Sequence, residues 1–188
     1  VYSLYSQVAG ISYEKLRDNI LPITVYQISN SVMDGTTQNS FLNGMSSVMN
    51  VIGNHDWAQG GGFIIPRIYS KLLDSFLLKY QAHNIHIDYA ALEMYPNWGL
   101  DGMKYYEMAK IYDNPYLNVD SLRLQFCNDM FGNVSVTMKE YFDCLESLST
   151  SMANDTTVPE RKLYNYFSQV NLNAGNWTLV NTARSLLN

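Results

Sequence analysis

Apolar and polar positions along this chain follow two different periods. Up to about residue 112, short stretches with the period of two expected of a strand are each followed by a stretch with helical spacing. The first strand is Val1–Val8, where Tyr2, Leu4 and Ser6 alternate with Val1, Ser3 and Tyr5. Ser12 can cap a short helix over Tyr13–Asn19. Pro22 opens a second strand, Ile23–Ser29, rich in β-branched residues. A polar loop with the turn signal Asp34-Gly35 follows. Phe41, Met45, Val48 and Met49 then predict a helix from Asn39 to about Asn50. Val51–Asp56 reads as a short third strand running into Trp57. Pro66 stands where the next helix begins, and Ile68, Leu72, Leu73, Phe76, Leu77 and Tyr80 mark its core face to about Ala82. In Asn84–Trp98 a fourth strand alternates Ile85, Ile87 and Tyr89 with His86, Asp88 and Ala90. It ends in a polar and aromatic cluster, Glu93, Tyr95, Pro96, Asn97 and Trp98, before a helix over Leu100–Tyr112.

Four strand–helix units at a spacing of roughly 25–35 residues are the βαβ period. They predict an α/β fold, either a barrel or a doubly wound sheet, and four units are half of a (β/α)8 barrel of the TIM type. A half-barrel alone has two open edges, which parallel sheets do not leave bare. The N-terminal half of the barrel is therefore expected on the same or a cleaved polypeptide. The division falls at 1–112, the barrel half, and 113–188, an all-helical C-terminal extension. In that extension Asp120 can cap a helix carrying Leu122, Leu124, Phe126 and Met130, with Gly132 at its C′ position. Val134, Met138, Tyr141, Phe142 and Leu145 predict the next helix. Ser149–Thr157 reads as a loop, Pro159 to about Gln169 as a helix, and Thr178–Leu187 as the last helix.

Composition narrows the function classes. The 188 residues are 47% hydrophobic and 15% charged, which is a globular balance. A net charge of −5 with no basic block argues against nucleic-acid partners. No apolar run reaches the ~18 residues of a membrane span. The cysteines, Cys127 and Cys144, fall in successive helices and read as two buried free thiols, with a disulfide between them as the alternative. No His/Cys cluster has metal-site spacing, and nothing calls for a cofactor. Gly60-Gly61-Gly62 lacks the Lys-Ser/Thr of a phosphate loop, and no GxSxG occurs. Fifteen Tyr and three Trp supply flat apolar faces with polar tips.

In β/α units, ligand-binding groups sit at the C-terminal ends of the strands. Glu93 and Trp98 occupy such an end. The competing reading makes Glu93 a solvated loop carboxylate and Trp98 a packing lid. His83 and His86 flank a strand start, at the opposite end, and read as structural. Asp120, Asp129, Glu140, Asp143 and Glu146 read as solvated faces or caps.

Several blocks share an order with a known family. They are VYSLYSQV, Ile23–Ser29, NVIGNHDWA with the aromatic loop and Pro66 after it, IHIDYAALEMYPNWG, and the helical block from Gly102 to Glu146. From Val1 to about Ser147 the chain resembles the C-terminal part of a glycosidase-like domain family, domain of unknown function 4838, related to family-20-type glycoside hydrolases. It departs from the family in having His-Asp-Trp, where the family order is Trp-Asp-Tyr, and in its triple glycine. The resemblance implies barrel strands five to eight plus a helical segment. It also implies that the catalytic carboxylate pair lies on a strand before Val1, leaving this chain the sugar-holding side of the site. Asp56 and Glu93 would then accept hydrogen bonds from sugar hydroxyls. Trp57, Tyr95 and Trp98 would stack on sugar rings. Tyr5 and Gln7 would line the rim, and His55 would orient Asp56 or touch the ligand. The expected partner is a glycan, and the expected location is secreted or at the cell surface. Two readings remain open: a glycoside hydrolase, or a non-catalytic carbohydrate-binding or structural module with a degenerate barrel. A helical interaction module over Asp120–Leu187 is a weaker third.

Overall fold

The structure is a computed structural model that describes residue 21 and residues 23–25, 42–56, 68–92, 98–154 and 177–188. It is an α/β arrangement in which helices predominate. The strands β1 (Ile23–Val25), β2 (Val51–Asp56) and β3 (His86–Leu92) form a parallel sheet in that order. A short helix, α1, is described over residues 42–46 and leads into β2. Helix α2 (Ser70–Ala82) carries the chain from β2 to β3. Helices α3 (Trp98–Asp113), α4 (Val119–Phe131), α5 (Ser135–Asn154) and α6 (Trp177–Leu186) follow, with a 3-10 turn, Gly132–Val134, between α4 and α5. The expected elements Val1–Val8, Tyr13–Asn19 and Pro159–Gln169, the end of the second strand after Val25, and Pro66 lie outside the described residues.

The two faces of the sheet differ. Ile52 and Asn54 are buried toward the helices, and the Asn54 side chain donates to the Tyr112 hydroxyl of α3 at 2.8 Å. Ile87 joins the same core. On the opposite face Ile23, Gly53 and Tyr89 stand in one row across the three strands. A Cβ at Gly53 would lie 3.1 Å from Ile23 Cγ1 and 3.3 Å from Tyr89 Cδ1, so the missing side chain lets its neighbours close over the strand. Ile23 and Tyr89 are each about half exposed, at 49%. The register shifts between Ile52 and Gly53, where β3 carries Asp88 as an extra residue. Such a bulge re-aims the residues that follow it.

The core forms where helix periodicity meets the sheet. Leu73, Phe76, Leu77 and Tyr80 repeat at three and four residues and bury one face of α2. Asn84, at φ 56°, closes that helix in the left-handed region, which Asn tolerates better than most residues. Helix α3 is buried on two sides. Tyr105, Met108 and Ile111 join the core with α2 and the sheet, whereas Met103 joins Cys127, Phe142 and Leu145 of α4 and α5. A helix enclosed this way needs apolar residues around most of its circumference. Helix α6 packs along α5.

Several boundaries move from the sequence expectation. The helix expected to reach Asn50 stops at Ser46. Ser46 and Ser47 turn their hydroxyls back to the carbonyls of Asn43 and Gly44, and the Val48 amide bonds the Met45 carbonyl, tightening the turn. Ile68 is fully buried but precedes α2, which begins at Ser70. Trp98 belongs to the first turn of α3 rather than to the loop before it. The loop expected from Ser149 is helical through Asn154, because Leu148 and Ser149 are buried and extend the packed face of α5. Burial decides over the weak preference of small polar residues for turns. Cys127 and Cys144 are free thiols, the first buried and the second half-buried. Burial pushes the Cys127 thiol up to about 11.

Helix α4 is capped by Asn118, not by Asp120: the Asn118 side chain accepts from the Ser121 amide at 2.8 Å. Gly132, at φ 55°, ends the helix as its C′ position predicts. Replacing Asn118 by Ala is expected to cost about 0.5–2 kcal/mol, read as a lower urea midpoint at unchanged slope.

Candidate functional site

The strand register sets the C-terminal ends of β2 and β3 side by side. His55 pairs with Val25 on one side and Ala91 on the other, and Asp56, the last residue of β2, pairs with Leu92, the residue before Glu93. Both strands run parallel, so both following segments leave the sheet from the same edge. His55 is half-buried there. The segments land again at Tyr69, just before α2, and at Trp98, the first residue of α3. Of the residues expected to hold a ligand, the structure sets His55 and Asp56 at this edge, and Trp98 opens α3, the next element after β3. Tyr5, Gln7, Trp57, Glu93 and Tyr95 lie outside the described residues, as does the side chain of Asp56.

Trp98 is 56% exposed. Its ring meets the Tyr105 ring edge-on, with centroids 5.5 Å apart and planes at 68°. Behind Tyr105 stands the ammonium of Lys104, with no exposed surface, held by the Asp101 carboxylate at 2.8 Å. The Lys104 Nζ lies 5.0 Å from the Tyr105 ring centroid and 5.9 Å from that of Tyr69. A cation at such distances is attracted by the ring faces. Asp101 sits in the first turn of α3, where the helix dipole also favours a carboxylate.

A second charged cluster joins α2, α3, α4 and α5, and the sequence did not suggest it. Arg123 of α4 is fully buried. Its Nε and Nη2 donate to the two oxygens of Glu107 at 2.8 and 3.1 Å, a fork-on-fork pair. Nη2 also donates to Glu146 at 2.7 Å, and Nη1 to Asp143 at 2.7 Å. Lys139 bridges Asp143, at 2.7 Å, and Asp120, at 3.4 Å, and Lys71 meets Asp120 at 2.9 Å. The free oxygen of Glu146 accepts the Lys71 amide at 2.8 Å and so caps the first turn of α2. Glu146 and Asp143 were expected on solvated faces. They are instead turned inward because Arg123 offers donors to both. The Glu107 carboxyl is raised by its burial, with Arg123 pulling the other way. Burial works against the Arg123 charge, but Glu107 and Glu146 outweigh it and hold the guanidinium cationic. The Asp120 carboxyl is lowered by its hydrogen bond from Lys71.

This cluster ties elements together and leaves no donor set for a metal. Among the described residues no group of three or more His, Cys, Asp or Glu is placed to hold one. Among the described residues, too, no helix is long and apolar enough to cross a membrane. No family model, curated protein or solved structure matches this chain.

Proposed function

We propose that this chain contributes the sugar-holding side of a glycan site, as part of a glycoside-hydrolase-like (β/α)8 barrel. The observation that carries the reading is the parallel order β1-β2-β3, whose register sets Asp56 beside Leu92 and so starts the segments bearing Trp57 and Glu93 at one edge. That edge is where β/α folds collect ligand-binding groups. The face opposite the helices adds support. Ile23, Val51 and Tyr89 are exposed there, and a parallel sheet is normally covered on both sides. In a closed barrel that face is the interior, filled by residues from the remaining strands.

In this reading Asp56 and Glu93 accept hydrogen bonds from sugar hydroxyls, and Trp98 offers its half-exposed indole to the apolar face of a ring. These are binding tasks. This reading assigns no bond-breaking carboxylate to this chain.

The test is Asp56→Ala and Glu93→Ala in the full-length protein, with glycan affinity and turnover measured. A hydrogen bond to a charged acceptor contributes about 1.5–3 kcal/mol. Each change should weaken binding or raise KM by roughly 10- to 100-fold. Unchanged affinity, KM and kcat in both variants, with far-UV circular dichroism intact, would remove the two carboxylates from the site and the reading with them.

A further inference from the structure

A fully buried lysine is uncommon unless it is paired, and Lys104 lies beside Tyr69, just before α2, and Tyr105 of its own helix. The segment after β2 ends at Tyr69, and the segment after β3 ends at Trp98. Lys104 faces the ring of Tyr69 and the ring of Tyr105, and Tyr105 in turn meets Trp98 in an edge contact. Tyr69, Lys104, Tyr105 and Trp98 thus make one row of aromatic, cation, aromatic, aromatic. Asp101 holds the cation from the first turn of the same helix.

Each contact in the row constrains direction as well as distance. The ammonium lies 5.0 Å from the Tyr105 centroid, which restricts how that ring can tilt. The 68° edge contact then transmits the Tyr105 orientation to the indole. Gly102 lies beneath the indole: a Cβ there would make an ordinary contact, 4.0 Å from Trp98 Cε3. The indole therefore lies back over its own helix with one side supported and the other side open. An apolar residue of similar length would fill the Lys104 site but would not orient two aromatic rings at once.

We infer that Lys104, held by Asp101, is a positioning residue. It fixes Tyr69, just before α2, and through Tyr105 holds Trp98 as a flat platform for the apolar face of a pyranose ring. The inference rests on the glycan reading for its ligand, but its geometric half stands apart from that reading.

The experiment uses the full chain and three variants, Lys104→Met, Trp98→Ala and the two combined. Binding is measured by affinity electrophoresis through gels containing soluble xylan, β-glucan or mucin. Indole packing is read from the near-UV circular dichroism of Trp98, obtained as the difference between each protein and its Trp98→Ala counterpart. Lys104→Met should keep its far-UV spectrum, lose most of the Trp98 near-UV signal and weaken polysaccharide binding by about tenfold, the scale of one aromatic contact. Trp98→Ala, a change at an exposed position, should weaken binding at least as much. An unchanged near-UV signal and unchanged affinity in Lys104→Met would make the lysine merely structural and overturn the inference. Unchanged binding in Trp98→Ala would overturn the platform. If the unaltered chain binds none of the three polysaccharides, the glycan reading fails for these classes, and the near-UV signal still decides whether Lys104 positions Trp98. A Lys104→Met chain that does not fold overturns a role confined to positioning.

Discussion

Arg123→Met is expected to be the most damaging single change outside the apolar core. It removes the charge that forms hydrogen bonds to both buried carboxylates, Glu107 and Glu146. Breaking a buried ion pair by deleting one partner costs about 3–5 kcal/mol, because the other charge stays in a poor solvent. For a chain of this size that corresponds to a melting point lower by roughly 10–15 °C. The loss also has a signed pH dependence. The Glu107 carboxyl already sits above its ordinary 4.5 because of burial. A raised folded-state value means that the folded protein holds its proton more tightly. The associated stability is fully present below about 4.5 and is lost as pH rises through the folded value. Without Arg123 the largest opposing influence is gone, and burial and the charge of Glu146 raise that value further. The deficit relative to the unaltered protein should therefore be larger at pH 8 than at pH 5. Urea melts of both proteins at the two pH values measure it. A deficit that grows toward acid would refute the assignment.

Replacing the whole triad by apolar residues separates the cost of the charges from the value of the contacts. With Arg123→Met, Glu107→Leu and Glu146→Met together, no unpaired buried charge remains, and such replacements are often neutral or better. Recovery should still be incomplete, because Glu146 also caps the Lys71 amide of α2. The missing cap is of the order of 0.5–2 kcal/mol. Asp143 keeps Lys139 at 2.7 Å in this variant, so the exposed part of the cluster survives.

The triad also shows what the sequence conceals. The alternation of periods placed Val51–Asp56, the helix ending at Ala82 and the final helix to within a few residues, because each of these is patterned against one apolar layer. Helix α3 is patterned against two. Glu107 lies four residues from Met103 and four from Ile111, both buried, and Arg123 lies four from Val119 and from Cys127, both buried. A charge flanked at both ±4 positions by core residues is a legible signal of an inward charge, and two such signals of opposite sign suggest a pair. Glu146 is harder to see, since only its neighbours Phe142 and Leu145 mark the face. The candidate ligand edge was legible for a different reason: parallel strands fix which ends share an edge before any side chain is considered. Lys104 was not, although its helical neighbours Leu100 and Met108 again stand at ±4. Reading the carboxylates of the C-terminal helices, Asp143 and Glu146 among them, as solvated faces or caps hid the Arg123 cluster.

Phe76→Ala is expected to cost about 3–5 kcal/mol, the range for deleting a buried aromatic ring. Phe76 is 4% exposed, and its ring centroid lies 4.6 Å from that of Tyr80, one turn on along α2. It shares a core with Leu73, Leu77, Ile52, Ile85 and Met108, which come from α2, β2, the β3 approach and α3. Elements from three directions meet at this ring, so no one of them can move in to fill the cavity without losing contact elsewhere. Phe76→Leu keeps much of the volume and should cost less than about 1.5 kcal/mol, provided Tyr80 can tilt into the remaining space. Denaturant melts of the two variants distinguish packing from propensity. Leu and Ala are both better helix formers than Phe, so propensity alone would make both changes neutral or favourable. A loss that grows with the volume removed assigns the contribution of Phe76 to the core. It also makes this ring the element that holds α2, and with it Tyr69, against β2 and β3.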